Sequence, residues 1–105
     1  MVNAARQVLV GDVAQLPKGE GRTYEVEGRR LAVFRTRSGA IFATQAECPH
    51  KGGPLADGLV GGTTVICPLH ERQYDLRTGQ GPGAECPIVV FPVALGADGT
   101  IWVQL

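Results

Sequence analysis

Short runs of apolar residues, each ended by glycine, proline or charged residues, recur along the chain, and no run keeps a helical period beyond a turn or two. Runs of this length between turn residues are typical of β-strands. The pattern predicts a hairpin turn at residues 97–99, a short strand and turn at 58–62, and a loop with one helical turn at 13–21. The predicted fold class is all-β, an antiparallel sandwich or barrel. The other predicted strands cover residues 7–10, 23–26, 31–36, 40–44, 63–66, 73–76, 88–94 and 100–104.

Length and charge limit the possible functions. A chain of 105 residues is expected to form a single domain, residues 1–105. Lys and Arg total 10, as do Asp and Glu, so the net charge is zero and nothing suggests a nucleic-acid partner. We find no signal peptide and no segment long enough to cross a membrane, so we expect a soluble cytoplasmic protein without a membrane partner.

Two short motifs contain both histidines and two of the three cysteines. The first is a C-x-H motif with Cys48 and His50, and sixteen residues later follows a C-x-x-H motif with Cys67 and His70. An odd number of cysteines does not indicate a disulfide framework, and in a reducing compartment Cys and His more often bind metal. Each motif follows a predicted strand, so the four residues are expected in a small loop-rich subdomain at residues 47 to about 83.

Three interpretations of these four residues are open. They could be turn and core residues without a metal, although Cys48 and His50 lie in a Pro-Gly loop where burial is difficult. They could bind zinc in an interaction module, but zinc sites usually space Cys with Cys and His with His. They could hold a [2Fe–2S] cluster in which two histidines replace two cysteines on one iron. The mixed motifs favour this cluster, with Cys48 and Cys67 as thiolates on one iron and His50 and His70 on the other.

The stretch CPHKGGPLADG that begins at Cys48 and the CPLH motif that begins at Cys67 resemble the Rieske iron–sulfur proteins. More narrowly, the chain resembles the small subunits of NAD(P)H-dependent assimilatory nitrite reductases. This resemblance implies an all-β Rieske fold with an inserted cluster-binding subdomain. It also implies one-electron transfer, no catalytic site in the chain itself, and a large reductase subunit with flavin and sirohaem as partner. The alternative is the Rieske ferredoxin of a ring-hydroxylating dioxygenase.

The resemblance also implies residues that surround the cluster. Gly53 and Leu69 stand where the Rieske proteins of cytochrome complexes carry two further cysteines that form a disulfide, so that bridge is absent here. Tyr74 stands where the family has a hydroxyl donor to a cluster sulfur. Pro82 lies in a Gly-Pro-Gly stretch similar to the loop that shields the cluster. Cys86 is expected to be a thiol that does not bind the cluster, because four ligands are already supplied.

Overall fold

A computed structural model describes residues 7–49, 53–68, 72–81 and 87–105 of the chain. Nearly all regular structure in these ranges is β-strand, with two single-turn 3-10 helices at Val13–Gln15 and Leu55–Asp57. Among the described residues, none forms a helix that is long and apolar enough to cross a membrane. The strands are β1 (Gln7–Asp12), β2 (Glu20–Val26), β3 (Arg29–Arg35), β4 (Ile41–Gln45), β5 (Leu59–Gly61), β6 (Thr64–Ile66), β7 (Gln73–Asp75), β8 (Val90–Phe91), β9 (Val93–Leu95) and β10 (Thr100–Gln104).

The strands form three antiparallel sheets. The first has the order β1-β10-β9, so strands from the two ends of the described chain pair with each other. The second has the order β2-β3-β4-β8, and the third consists of β5, β6 and β7. The predicted all-β antiparallel fold class is confirmed. The predicted limits of the domain (1–105) and of its subdomain (47 to about 83) stay predictions.

Strand β3 is buried on both faces because its apolar residues are consecutive. Leu31 and Val33 face one core, which we call the sheet core, and Ala32 and Phe34 face the other, which we call the loop core. The alternation follows from the two-residue period of a strand. The buried residues of the sheet core are Leu16, Leu31, Val33, Ala43, Ile101 and Val103. Those of the loop core are Ala32, Phe34, Cys48, Leu55, Ala56, Val65, Cys67, Tyr74, Leu76 and Ile88.

The structure corrects one predicted element. The single strand expected at residues 88–94 is two short strands, because Pro92 separates β8 from β9. Proline lacks the N–H that a ladder requires, so it ends the pairing of β8 with β4. The chain then enters the first sheet, where β9 pairs with β10. Ile88 and Val89 lie before β8 and belong to no strand.

Candidate metal centre

The loop that contains Cys48, which we call the first ligand loop, follows β4. Two hydrogen bonds close its base, which we call the neck. The Ala46 carbonyl accepts a hydrogen bond from the Leu55 N–H at 2.9 Å, and the Cys48 N–H donates to the Gly53 carbonyl at 2.7 Å. These two bonds bring both ends of the loop together, as in a hairpin. Cys48 and Gly53 are both buried, so the Cys48 side chain faces the protein interior and not the solvent.

The second ligand loop is carried by strands β6 and β7. Val65 pairs with Tyr74 in the ladder, and Cys67 lies two residues beyond Val65. Because side chains alternate along a strand, Cys67 continues on the face of Val65, and both residues are buried in the loop core. The Cys67 N–H donates to the Arg72 carbonyl at 2.7 Å, which closes the base of this loop.

The structure brings the two predicted cysteine ligands into one core, which also contains Tyr74. The Tyr74 hydroxyl lies 3.5 Å from the Sγ of Cys48, in a buried position. Burial raises the pKa of Tyr74 to about 12, and the hydrogen bond to Cys48 and the charges of Cys48 and Cys67 contribute to the rise. A cysteine that binds iron is a thiolate without a hydrogen, and this would apply to Cys48 as a cluster ligand. The Tyr74 hydroxyl is then the donor of this hydrogen bond.

The described residues include half of the predicted site. Cys48, Cys67, Gly53 and Tyr74 are described, and all four are buried. The donor set fits an iron–sulfur cluster, because two buried thiols lie at the ends of two separate loops and a hydroxyl group is placed at one sulfur. The remaining predictions, His50, His70, Leu69 and Pro82, lie outside the described residues, as does Cys86.

Two polar residues beside the first loop were not predicted from the sequence. Gln45, the last residue of β4, donates from Nε2 to the Glu47 carbonyl at 2.7 Å. The Glu47 carboxylate forms a salt bridge of 2.9 Å with Arg30, and both side chains are about half exposed. Exposed pairs of this kind contribute little to stability. Only the position of Gln45, directly before the loop, could have indicated its contact.

Comparison with known proteins gives a consistent family. Residues 6–92 match the family described as Rieske [2Fe-2S] domain. A 3-phenylpropionate/cinnamic acid dioxygenase ferredoxin subunit from Photorhabdus laumondii is 34% identical over 103 residues, which are 94% of this chain and 94% of that protein. A naphthalene 1,2-dioxygenase ferredoxin component from Pseudomonas aeruginosa is 35% identical over 66 residues, 63% of this chain. The chain spans only 62% of the length of that relative.

Solved structures have the same fold. An NADH-dependent nitrite reductase small subunit from Mycobacterium tuberculosis superposes with a TM-score of 0.90 at 21% identity, over 98% of this chain and 97% of the other. A ferredoxin from Sphingomonas yanoikuyae B1 superposes with a TM-score of 0.83 at 30% identity, over 95% and 99%. The resemblance and the cofactor expected from the sequence are thereby confirmed. Of the interpretations given above, the [2Fe–2S] cluster is therefore favoured over zinc. The chain belongs to the Rieske [2Fe-2S] domain family.

Proposed function

We propose that this chain carries one electron at a time for a larger redox partner protein. The observation that supports this function best is the pair of buried cysteines, Cys48 and Cys67, with the Tyr74 hydroxyl 3.5 Å from one sulfur. When bound, a Rieske cluster supplies a one-electron redox centre with a raised potential, because neutral imidazole replaces two thiolates. Four protein ligands leave no open position for a substrate, so the chain is a carrier and not a catalyst.

Each predicted ligand has a defined part in this proposal. Cys48 and Cys67 bind the inner iron from within the loop core, where they are shielded from water. His50 and His70 bind the outer iron, and electrons enter and leave at their side of the domain. The buried cysteines then insulate the cluster on its protein side.

Our first candidate for the larger partner is the large subunit of an NAD(P)H nitrite reductase. A nitrite reductase [NAD(P)H] from Emericella nidulans is 36% identical over 86 residues, although these are only 8% of that protein. The high TM-score with a nitrite reductase small subunit supports a common fold. In this setting the chain acts in the cytoplasm as an electron-transfer subunit, and the sirohaem and flavin belong to its partner.

A second candidate is supported by a different observation. The relative that aligns over 94% of both chains is a dioxygenase ferredoxin subunit. A solved complex between a reduced oxygenase and an oxidised ferredoxin contains a ferredoxin of this fold, with a TM-score of 0.77 and 27% identity. In this setting the partner is the oxygenase of a ring-hydroxylating dioxygenase.

Anaerobic reconstitution with iron and sulfide tests the proposed cofactor and ligands. We expect a brown protein with two irons and two acid-labile sulfides per chain, and a paramagnetic signal at low g values after reduction. Cys67→Ser is expected to lose the cluster, and His70→Cys is expected to lower the potential or lose the cluster. A colourless protein that contains one zinc ion would contradict the proposal.

Electron transfer to each candidate partner separates the two settings. The reduced protein is mixed in a stopped-flow instrument with an oxidised nitrite reductase large subunit or with a dioxygenase oxygenase component. Rapid reoxidation by only the first supports the nitrite reductase, and rapid reoxidation by only the second supports the dioxygenase. Reoxidation by neither, at rates above those of a non-partner protein, would refute both candidates.

A further inference from the structure

A short segment, residues 87–89, contacts the supports of both ligand loops, and we call it the bridging segment. On one side, the Gln45 N–H donates to the Val89 carbonyl at 3.0 Å, and the Val89 N–H donates to Oε1 of Gln45 at 2.8 Å. On the other side, the Ile88 N–H donates to the Gly79 carbonyl at 2.9 Å. Gln45 ends the strand before the first loop, and Gly79 follows the strand after the second loop. The bridging segment therefore connects the two loops from outside their own hairpins.

The Gln45 carboxamide extends this connection to the first cysteine ligand. Its Oε1 accepts from the Val89 N–H, and its Nε2 donates to the Glu47 carbonyl at 2.7 Å. The backbone partners fix the orientation of the amide, because an N–H needs an acceptor and a carbonyl needs a donor. Glu47 directly precedes Cys48. One side chain thus links the bridging segment to the peptide that carries a cluster ligand.

The contact on the side of the second loop is equally constrained. Gly79 has a φ of 85°, which favours glycine, and a Cβ at this position would overlap the Ile88 carbonyl oxygen. The Ile88 side chain is buried in the loop core together with Cys48 and Cys67. The bridging segment is therefore held by the Gly79 backbone on one side and by the Gln45 side chain on the other.

We propose that Gln45 is a positioning residue that fixes the first ligand loop relative to the second through the bridging segment. This inference rests on the cluster assigned under the proposed function. The proposed cluster requires thiolates from two loops at one iron, and each of these loops has its own hydrogen-bonded neck. Without the Gln45 carboxamide, Cys48 keeps its neck and its contact with Tyr74, but the peptide that precedes Cys48 loses its side-chain link to the bridging segment. Residues that orient metal ligands typically contribute 10- to 100-fold to metal affinity or activity.

Two substitutions in the cluster-loaded full chain test the inference. Gln45→Met keeps the length and volume of the side chain and removes both of its hydrogen bonds. Gln45→Glu keeps the acceptor for the Val89 N–H but places a carboxylate oxygen against the Glu47 carbonyl. The matched control is Gln104→Ala, at the end of β10 in the first sheet, away from both ligand loops.

The first readout is the rate of iron release to a chelator, followed by the loss of visible absorbance and compared with the unfolding rate of the same sample by circular dichroism. We expect release to be about 10-fold faster for Gln45→Met, and faster than wild type for Gln45→Glu, with a smaller change in unfolding. We also expect broader lines in the paramagnetic spectrum of the reduced cluster. Gln104→Ala is expected to match the wild type.

Two results would overturn the role of Gln45. One is wild-type release and line width in both variants, and the other is a release rate that rises only in proportion to unfolding. If Gln45→Met does not fold, Gln45→Glu alone decides between the same outcomes. Failure of the proposed function looks different, because the wild-type chain itself would then bind no cluster.

Discussion

Replacement of Tyr74 by Phe removes one hydroxyl group from the loop core, and we expect it to lower the midpoint potential of the cluster. The hydroxyl lies 3.5 Å from Sγ of Cys48 and donates to this sulfur when it is a thiolate. Reduction adds negative charge to the cluster and its sulfurs. The hydrogen bond therefore stabilises the reduced state more than the oxidised state, and its loss favours oxidation.

The size of the shift follows from the strength of such a bond. A hydrogen bond to a charged group contributes about 1.5–3 kcal/mol, and a donor–acceptor distance of 3.5 Å favours the low end. For one electron, about 1.36 kcal/mol corresponds to about 59 mV, so 1.5 kcal/mol gives an upper bound of roughly 65 mV. Only the part of the energy that differs between the two redox states counts. We therefore expect the potential of Tyr74→Phe to fall by about 40 mV.

Protein-film voltammetry on the cluster-loaded protein measures this shift, and Tyr24→Phe is its matched control. The chain has two tyrosines, and Tyr24 packs against the sheet core instead of the loop core. Its hydroxyl oxygen is buried and has no hydrogen-bond partner among the described residues. Tyr24→Phe should leave the potential unchanged. An unchanged or higher potential in Tyr74→Phe, or an equal fall in both variants, would refute the assigned hydrogen bond.

Three further predictions concern the stability of the domain. A Cβ on Gly58 would overlap the Ile66 carbonyl oxygen, so Gly58→Ala should destabilise the protein by about 1–3 kcal/mol in urea unfolding, whereas Gly61→Ala, which has open space, should not. Hydrogen bonds from Arg77 lower the pKa of Asp75. The ionised Asp75 carboxylate therefore stabilises the folded state above a pH of about 4, and this stabilisation is lost as the pH falls. Asp75→Asn should therefore flatten the acid side of the stability curve, and an unchanged slope would contradict this. Removal of iron by a chelator should lower the midpoint of thermal unfolding, because the cluster binds only the folded chain, and identical midpoints would argue against a bound cluster.

The sequence was sufficient for the elements whose signals are local. The apolar run at residues 31–34 predicted the strand at 31–36 that the structure shows as β3, and glycines flank it at positions 28 and 39. The spacing of Cys48 and Cys67 from the histidines of their motifs indicated iron–sulfur chemistry. This was possible because the residue types that bind a metal depend on the metal and not on the fold. The run alone could not show that Leu31 and Ala32 face different cores. Burial on both faces depends on the neighbouring sheets, which only the folded chain defines.

The sequence pattern could not predict contacts between segments that are distant along the chain. Gln45 and Val89 are separated by 44 positions, and a polar residue at a strand end does not reveal which backbone it will meet. Pro92 also illustrates this limit. The apolar pattern at residues 88–94 favours one strand, whereas the missing N–H of proline and the two available sheets divide it into two.

Strand β3 contributes side chains to both the sheet core and the loop core, so the two cores share this strand and cannot separate along it independently. Leu31 and Val33 anchor it to one half, and Phe34 anchors it to the other. A local unfolding event that separates β3 from the sheet core must therefore also expose the loop core, which contains the two cysteines, to water. A weakened scaffold therefore shortens the lifetime of the metal centre, even when the substituted residue is far from iron.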